Sequence, residues 1–214
     1  MRIPKDTRVF TAPERHRRKI LAAALTLVGE GGADAITHRA VARRAKVSLG
    51  STTYHYGSRD ELMRAAFRHY LSEAKALFEA LGVETPRTGI ADVAELAVDV
   101  ARRGMKEPTA VRAEYELILC SARDPILARE FLAYERALEG GLAVVLERLD
   151  VVRPHDAART IIDMVRGFEL ERFARPRADT DDLRRRVRAF IDALTTQKQA
   201  KKTSSPKRRR KTAR

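Results

Sequence analysis

A short polar segment in the first third of the chain concentrates side chains that could bind another molecule. It reads SLGSTTYHYGSRDEL, from Ser48 to Leu62, and it holds hydroxyls, two tyrosines and a histidine between segments with helical spacing. Hydroxyl and imidazole groups donate and accept hydrogen bonds, and such residues are less often fully buried than aliphatic ones. The segment therefore suits contact with a polar surface better than a place in an apolar core.

Two short helices joined by a tight turn are predicted to display these residues. A longer helix over RRKILAAALTLVGEGG precedes them, because its apolar residues recur at three and four and Gly31 ends the pattern. Thr37 is a suitable N-cap for a short helix over the following residues, and Ser48 is a suitable N-cap for another that runs to Tyr56. This order predicts a helix-turn-helix, with the polar segment as its second helix.

A helix of this kind suits the major groove of DNA, where short donors and acceptors meet base edges and flanking side chains reach phosphates. The alternative is that the hydroxyls only cap helices and the tyrosines only pack against the first helix. Arg39 could pair bidentately with guanine. The sequence predicts phosphate or backbone contacts by Thr37, Ser48, Tyr54 and Arg59, and base contacts or close groove approach by Arg39, Gly50, Ser51, Thr52 and His55.

The stretch ITHRAVARRAKVSLGSTTYHYGSRDEL resembles the DNA-binding segment of TetR-family transcriptional repressors. Thr53 stands where that family usually has a phosphate-contacting tyrosine, Gly57 replaces a frequent lysine, and Arg59 replaces the lysine that opens the fourth helix. The resemblance implies an all-helical, ligand-binding and dimeric remainder. Val47, Ser48, Gly50, Ser51, His55, Ser58 and Leu62 match the motif V-S-x-G-(S/T)-x-Y-x-(Y/H)-F-x-(S/N)-K-x-x-L in register.

Composition favours a soluble intracellular protein, expected in the cytoplasm and nucleoid-associated when bound to DNA. The 214 residues are 44% apolar, which is enough for a buried core. The single cysteine, Cys120, excludes an internal disulfide framework and a multi-cysteine zinc site. No signal-peptide core and no apolar run of about 18 residues occurs, so no membrane partner is expected.

The net charge of +14 is concentrated at the two ends of the chain. Residues 1–58 hold eleven Lys or Arg against four Asp or Glu, residues 59–197 hold 23 against 25, and residues 198–214 hold nine against none. Basic ends favour a polyanionic partner, although charge alone also fits a solvated surface. The last segment lacks apolar residues beyond alanine, so it is predicted to be disordered and to add non-specific phosphate contacts.

The remainder of the chain shows helical spacing throughout, which predicts an all-α fold. A long helix over 59–81 would connect the helix-turn-helix to further helices at about 89–104, 107–123, 125–149, 154–175 and 179–195. The predicted organisation is a helix-turn-helix domain with a basic N-terminal arm over 1–58, a helical ligand-binding and dimerisation domain over 59–195, and a disordered basic tail over 196–214.

Two of these helices carry long apolar stripes that could pair with a second copy of the chain. Packed against their symmetry mates they would form a four-helix bundle, although any helix of a monomeric bundle shows such a stripe. A homodimer would read a palindromic operator with half-site centres ~34 Å apart or a multiple of it. The predicted interface consists of Leu127, Phe131, Tyr134, Leu138, Leu142, Val145, Ile161 and Val165.

A mixture of apolar and polar side chains in the middle of the chain suits a pocket for a small-molecule effector of unknown identity. It suits an ordinary core nearly as well. The predicted pocket residues are Met105, Tyr115, Cys120, Met164 and Phe168.

Catalytic and metal motifs are not found in the sequence. The segment GEGGAD ends a helix instead of starting one, no phosphate-binding loop or nucleophile elbow occurs, and no two histidines are spaced i and i+4. The sequence therefore predicts a DNA-binding transcriptional regulator, a repressor released by a ligand, and neither an enzyme nor a cofactor protein. The alternative is a non-specific nucleic-acid-binding or architectural protein driven by its basic ends.

Overall fold

The structure is a computed structural model and describes residues 11–84, 89–175 and 179–204. Within these ranges the chain forms nine α-helices and one short 3₁₀ turn, and it has no strand, which confirms the all-α prediction. The helices are α1 (Ala12–Gly31), α2 (His38–Ala45), α3 (Leu49–His55), α4 (Arg59–Glu84), α5 (Ile90–Lys106), α6 (Pro108–Ser121), α7 (Pro125–Arg148), α8 (Pro154–Ala174) and α9 (Thr180–Ser204).

Side-chain caps fix the starts of α2 and α3 at the predicted residues. The Thr37 hydroxyl oxygen accepts a hydrogen bond from the Ala40 N–H at 3.1 Å, and the Ser48 oxygen accepts one from the Ser51 N–H, also at 3.1 Å. Between them, Lys46 ends α2 with φ at 53°, in the left-handed region. These caps satisfy N–H groups that a helix start leaves without partners, so the turn between the two helices is set locally.

A similar arrangement starts α4 immediately after the helix-turn-helix. The Glu61 N–H donates to the Ser58 hydroxyl at 3.1 Å, and the Glu61 carboxylate accepts from the Gly57 N–H at 2.8 Å. The link between α3 and α4 is therefore short, residues 56–58, and two hydrogen bonds to Glu61 fix it to the first turn of α4.

Contacts divide the chain into two compact units. The first comprises Met1–Pro86 and Arg102–Leu138, and the second comprises Arg87–Ala101 and Glu139–Arg214. The boundary predicted after residue 58 does not coincide with this division, because α4 and α6 share one apolar cluster with α1. The buried members of that cluster include Ile20, Val28, Ile36, Val41, Leu62, Phe67, Leu117 and Leu127.

Helices α1 and α6 of the first unit lie in close contact at Gly29. A Cβ atom placed on Gly29 would lie 2.0 Å from the carbonyl oxygen of Thr109 and 2.8 Å from its Cγ2. The Arg112 Nε donates a hydrogen bond of 2.8 Å to the Gly29 carbonyl oxygen. Only a residue without a side chain fits here, so the contact depends on glycine.

Asp124 joins α4 to the start of α7 within the same unit. One carboxylate oxygen accepts from the Ile126 N–H at 2.9 Å, which caps α7, and the other accepts from the Arg64 Nε at 2.7 Å. The hydrogen bond from Arg64, followed by the backbone donors, lowers the pKa of Asp124. Arg68 adds a second ion pair between α4 and α7, with Glu130 at 3.2 Å.

The second unit has its own apolar core, built from parts of α5 and α7 together with α8 and α9. Arg184 of α9 binds the carboxylate of Glu95 on α5 at the edge of this core. Its most completely buried side chains include Val98, Leu146, Ala158, Ile161, Leu183, Val187 and Ile191.

Much of the predicted dimer interface is covered by the chain's own residues. Phe131 stacks on Phe67 with ring centroids 6.3 Å apart, and Phe131 and Tyr134 both pack against the first unit's core. Leu138 and Val145 are half-buried. The remaining four are buried, with exposed fractions of 1% for Leu127, 4% for Leu142, 3% for Ile161 and 9% for Val165.

Helix α9 runs through Ser204 and therefore past the predicted start of the tail at residue 196. The rest of the tail, 205–214, and most of the N-terminal arm, 1–10, lie outside the described residues. None of the helices in the described ranges is long and apolar enough to cross a membrane.

Candidate nucleic-acid interface

Five of the predicted DNA-contacting residues lie exposed on α2, on α3 or at their caps, namely Thr37, Arg39, Ser48, Gly50 and Tyr54. Thr37 and Ser48 are the two N-caps, and Arg39 lies in the first turn of α2. Tyr54 is 86% exposed, although it is an aromatic side chain on a short helix. Arg39 has no hydrogen bond or ion pair with any residue of the described ranges, so its guanidinium donors are available to a partner.

The three consecutive hydroxyls of α3 have different surroundings. Thr52 is fully buried, and its hydroxyl donates to the Leu49 carbonyl at 2.8 Å. Thr53 is exposed, and its hydroxyl lies 3.2 Å from the carbonyls of both Leu49 and Gly50. Ser51 is half-buried, and its oxygen lies 2.5 Å from the Nε2 of His16 on α1.

Thr52, predicted to contact a base edge or to approach the groove closely, is buried among the protein's own residues. Thr52 and Tyr56 lie four residues apart on one face of the helix and are both buried, Tyr56 being 7% exposed. A seven-residue helix makes only about two turns, so its phase depends on packing that local spacing does not fix.

Thr52→Val should therefore affect stability and leave DNA reading unchanged. We expect the free energy of unfolding to fall by about 1 kcal/mol, because one buried hydrogen bond is lost. Urea denaturation measures this effect, and Thr53→Val, at an exposed position, is the control with a smaller loss. If Thr52→Val alters the base preference of the DNA that the protein selects, Thr52 contacts DNA after all.

Arg59 also has a structural role that the sequence did not predict. Its Nε donates to the Ile36 carbonyl at 3.0 Å, and its Nη2 donates to the Ala33 carbonyl at 2.7 Å and to the Asp34 carboxylate at 2.9 Å. These bonds connect the start of α4 to the segment between α1 and α2. The bonds of Nε and Nη2 give Arg59 a structural role, and its contact with a phosphate stays a prediction.

Gly50 keeps the first turn of α3 free of side-chain bulk. The only neighbouring atom within 4 Å of a Cβ placed there is the Ser48 Oγ, at 4.0 Å. A side chain at this position would therefore not clash with the described neighbours of Gly50. Close approach of DNA to Gly50 stays a prediction.

His55 lies in a cluster of aromatic rings at the end of α3. Its ring centroid is 5.8 Å from that of His16, 5.3 Å from Tyr54 and 6.2 Å from Tyr56. Burial lowers the pKa of His55, and the positive charges of Arg17 and His16 lower it further. The neutral ring is therefore favoured, with one nitrogen as donor and one as acceptor.

Two residues of this surface were missed by the sequence reasoning. His16 lies 35 residues before Ser51 in the chain, so no local spacing connects them. Leu49 is 45% exposed in the first turn of α3. Its position between the Ser48 cap and Gly50 was a usable signal, because an apolar side chain there can contact the methyl group of thymine.

The predicted effector-pocket residues are distributed over both compact units. Met105, Tyr115 and Cys120 belong to the first unit, and Met164 and Phe168 belong to the second. Cys120 packs against the first unit's core, and burial raises the pKa of its thiol, which disfavours a nucleophilic thiolate. Within the described residues no group of three or more His, Cys, Asp or Glu side chains could hold a metal ion.

Comparison with known protein families gives two matches that together span most of the chain. Residues 20–66 match the family described as bacterial regulatory proteins of the tetR family. Residues 88–197 match a family described as the tetracyclin repressor-like C-terminal domain. The first match contains α2 and α3 complete.

Individual relatives agree with these matches. The HTH-type transcriptional regulator BetI 1 of Chromohalobacter salexigens is 30% identical over 186 residues, which is 84% of this chain and 90% of that protein. A TetR-family regulator from Mesorhizobium loti has the same fold, with a TM-score of 0.73 at 18% identity over 87% of this chain and 98% of that one. The multidrug binding protein EbrR, complexed with ethidium, gives a TM-score of 0.61 at 28% identity over 82% and 98%.

Proposed function

Because the chain belongs to the TetR family of bacterial DNA-binding transcriptional regulators, which are not enzymes, we propose that it represses transcription as a homodimer bound to a palindromic operator. The observation that carries this proposal is the pair of capped helices α2 and α3, on which the side chains of Arg39 and Tyr54 are exposed to solvent. In this function α3 enters the major groove of each half-site.

The proposed contacts divide between base edges and the DNA backbone. The guanidinium N–H groups of Arg39 have no partner among the described residues, and their planar arrangement matches the O6 and N7 acceptors of guanine. Thr37 and Ser48 lie at helix starts, where a phosphate is favoured, and Tyr54 reaches outward beside them. Residues 1–58 act as the reading head, residues 59–195 bind the effector and the second copy, and the basic segment 196–214 adds non-specific attraction to DNA.

A homodimer follows from the small size of α3, which alone reads only a few base pairs. Helix α8 offers a surface for pairing, because Gly167, Leu170 and Phe173 recur at three on one side of it. Leu170 is 50% exposed and Phe173 is 37% exposed, and Gly167 has open space around it, which lets another helix approach closely. Exposed apolar side chains of this kind mark interaction surfaces.

Leu170→Lys should convert the protein from dimer to monomer, since a charge would be buried at the interface. Sedimentation velocity measures the mass of the particle. We also expect operator affinity to fall at least about tenfold, because a monomer contacts only one of the two half-sites. Leu119→Lys on α6 is the control at another exposed leucine, 66% exposed, and should remain a dimer. Loss of the dimer in the control but not in Leu170→Lys would contradict this interface.

We also propose that the effector is an organic cation with a flat apolar surface. EbrR was solved with ethidium and with proflavin, both of which are planar cations. In the second unit, this chain buries the carboxylate residue Glu169 on α8, at 7% exposed. A buried carboxylate suits a cationic guest, and Met164 and Phe168, the predicted pocket residues of the same unit, supply apolar surface.

Binding of this effector class is tested with ethidium and proflavin in the absence of DNA, because both dyes also bind DNA directly. Fluorescence titration of the protein should give saturable binding. Glu169→Gln should weaken it while the melting temperature stays within a few degrees of the parent. Saturable binding with equal affinity in the variant would contradict a role for this carboxylate.

Effector release would act through α4. This helix begins at Arg59, directly after α3, and is joined to the start of α7 by the Arg64–Asp124 pair. A ligand that favours one position of α4 also favours one position of α3, and it weakens DNA binding by the ratio of its affinities for the two states.

A further inference from the structure

The hydroxyl protons of α3 are not equally available to DNA. A hydroxyl has one proton to donate. Thr52 donates its proton to the Leu49 carbonyl, and Thr53 has only carbonyls of its own helix as neighbours, so its proton is also used inside α3. Ser51 is different, because its neighbour is a ring nitrogen that can be either donor or acceptor.

The His16 ring holds the Ser51 side chain from a different helix. Its Nε2 lies 2.5 Å from the Ser51 oxygen, and both residues are half-buried. The Ser51 N–H is already bound to the Ser48 hydroxyl, so backbone and side chain of Ser51 are both fixed. The direction of the remaining proton therefore depends on His16 alone among the described neighbours.

We propose that His16 is a positioning residue for DNA recognition: its Nε2–H donates to the Ser51 oxygen and thereby directs the Ser51 proton to an acceptor on the operator. If the serine instead donated to the ring, it could only accept from DNA. DNA offers acceptors on phosphates and on the edges of guanine, adenine and thymine in the major groove. The proposal rests on the proposed function, because it requires α3 to lie against DNA.

The chemistry of the ring supports donation by His16. The protonated ring and the neutral tautomer with its proton on Nε2 both donate from this nitrogen, whereas the other neutral tautomer would accept from Ser51. The His55 ring packs with its centroid 5.8 Å from that of His16, whereas the Ser51 oxygen lies 2.5 Å from the His16 Nε2. His16 then donates a hydrogen bond to Ser51, and Ser51 donates one to a negatively charged or carbonyl oxygen on DNA.

A double-mutant cycle tests the positioning role with the full-length protein and the duplex it selects. His16→Leu removes the donor at similar volume, and His16→Gln keeps an amide nitrogen near the Nε2 position. We expect His16→Leu to weaken operator binding about three- to tenfold, the effect of one hydrogen bond, and His16→Gln to remain within about twofold of the parent. In a Ser51→Ala background, His16→Leu should cause no further loss.

Two further readouts separate positioning from direct contact. The slope of log affinity against log salt concentration should be unchanged in His16→Leu, because a residue that does not touch phosphate releases no counterions. For Ser51→Ala, loss of preference at one base pair identifies a base-edge acceptor, and a uniform loss across sequences identifies a phosphate. Either result supports the proposal.

Independent losses from His16→Leu and Ser51→Ala, or a reduced salt slope in His16→Leu, would overturn the positioning role. Both outcomes presuppose that the parent protein selects a DNA sequence. If the parent selects none, the proposed function itself has failed, and the two failures are thereby distinguished.

Discussion

Gly29→Ala is expected to lower the free energy of unfolding by about 1–3 kcal/mol, the cost of forcing extra volume into a tightly packed contact. The added Cβ would lie 2.0 Å from the Thr109 carbonyl oxygen. That atom belongs to the backbone of α6 and cannot move aside as a flexible side chain does. Helices α1 and α6 must separate, which also strains the 2.8 Å hydrogen bond from Arg112 to the Gly29 carbonyl.

Gly140→Ala is the matched control, because it makes the same chemical change within a helix. Apart from its neighbours and the backbone of its own helix, no atom of the described ranges lies within 4 Å of a Cβ at Gly140, so the variant should gain about 0.5–1 kcal/mol from the better helix propensity of alanine. Denaturant unfolding of both variants measures the difference. If Gly29→Ala is as stable as Gly140→Ala, the close contact of α1 with α6 does not exist in solution.

Arg39→Ala is expected to weaken operator binding by about 1–3 kcal/mol and to relax the preference at one base pair of each half-site. Arg39 is exposed, and its guanidinium has no partner among the described residues, so removing it should not disturb the fold. Binding to the selected duplex and to single-base variants of it, measured by fluorescence anisotropy, gives both quantities.

Arg44→Ala on the same helix is the control for loss of one positive charge. Arg44 is paired with Glu30, with 3.0 Å between Nη1 and Oε1, so its donors are used within the protein. We expect a smaller loss of affinity from this variant and no change in base preference. A uniform loss across all sequences in Arg39→Ala would make Arg39 a phosphate contact and contradict base reading.

The elements of the reading head were predictable because their signals are local. Thr37 and Ser48 cap α2 and α3 as expected, since a hydroxyl followed by free N–H groups is enough to start a helix. The resemblance to the TetR family rested on the same short stretch and was confirmed by matches over residues 20–66 and 88–197.

The features that were not predicted depend on distant partners. Arg59 finds its acceptors at Ala33 and Ile36, more than twenty residues earlier, and Ser51 finds His16 on another helix. No periodic pattern carries this information. The burial of Thr52 was not predicted because a two-turn helix leaves its phase to tertiary packing.

The apolar stripes of α7 and α8 show the limit of hydrophobic spacing. A stripe indicates that one side of a helix is covered, but it does not indicate whether the cover is the same chain or a second copy. Leu142 and Ile161 are covered within the protomer, whereas Leu170 is exposed. The proposed interface therefore consists of side chains that the fold leaves uncovered, such as Leu170.

The most direct test of sequence-specific DNA binding is selection of bound duplexes from a random pool at physiological salt. The full chain and a chain ending at Ser204 should both enrich one palindrome, with half-site centres ~34 Å apart or a multiple of it, because recognition lies in α2 and α3. Absence of any enriched sequence, or loss of binding when residues 205–214 are removed, would contradict the account and favour a binder driven by charge alone.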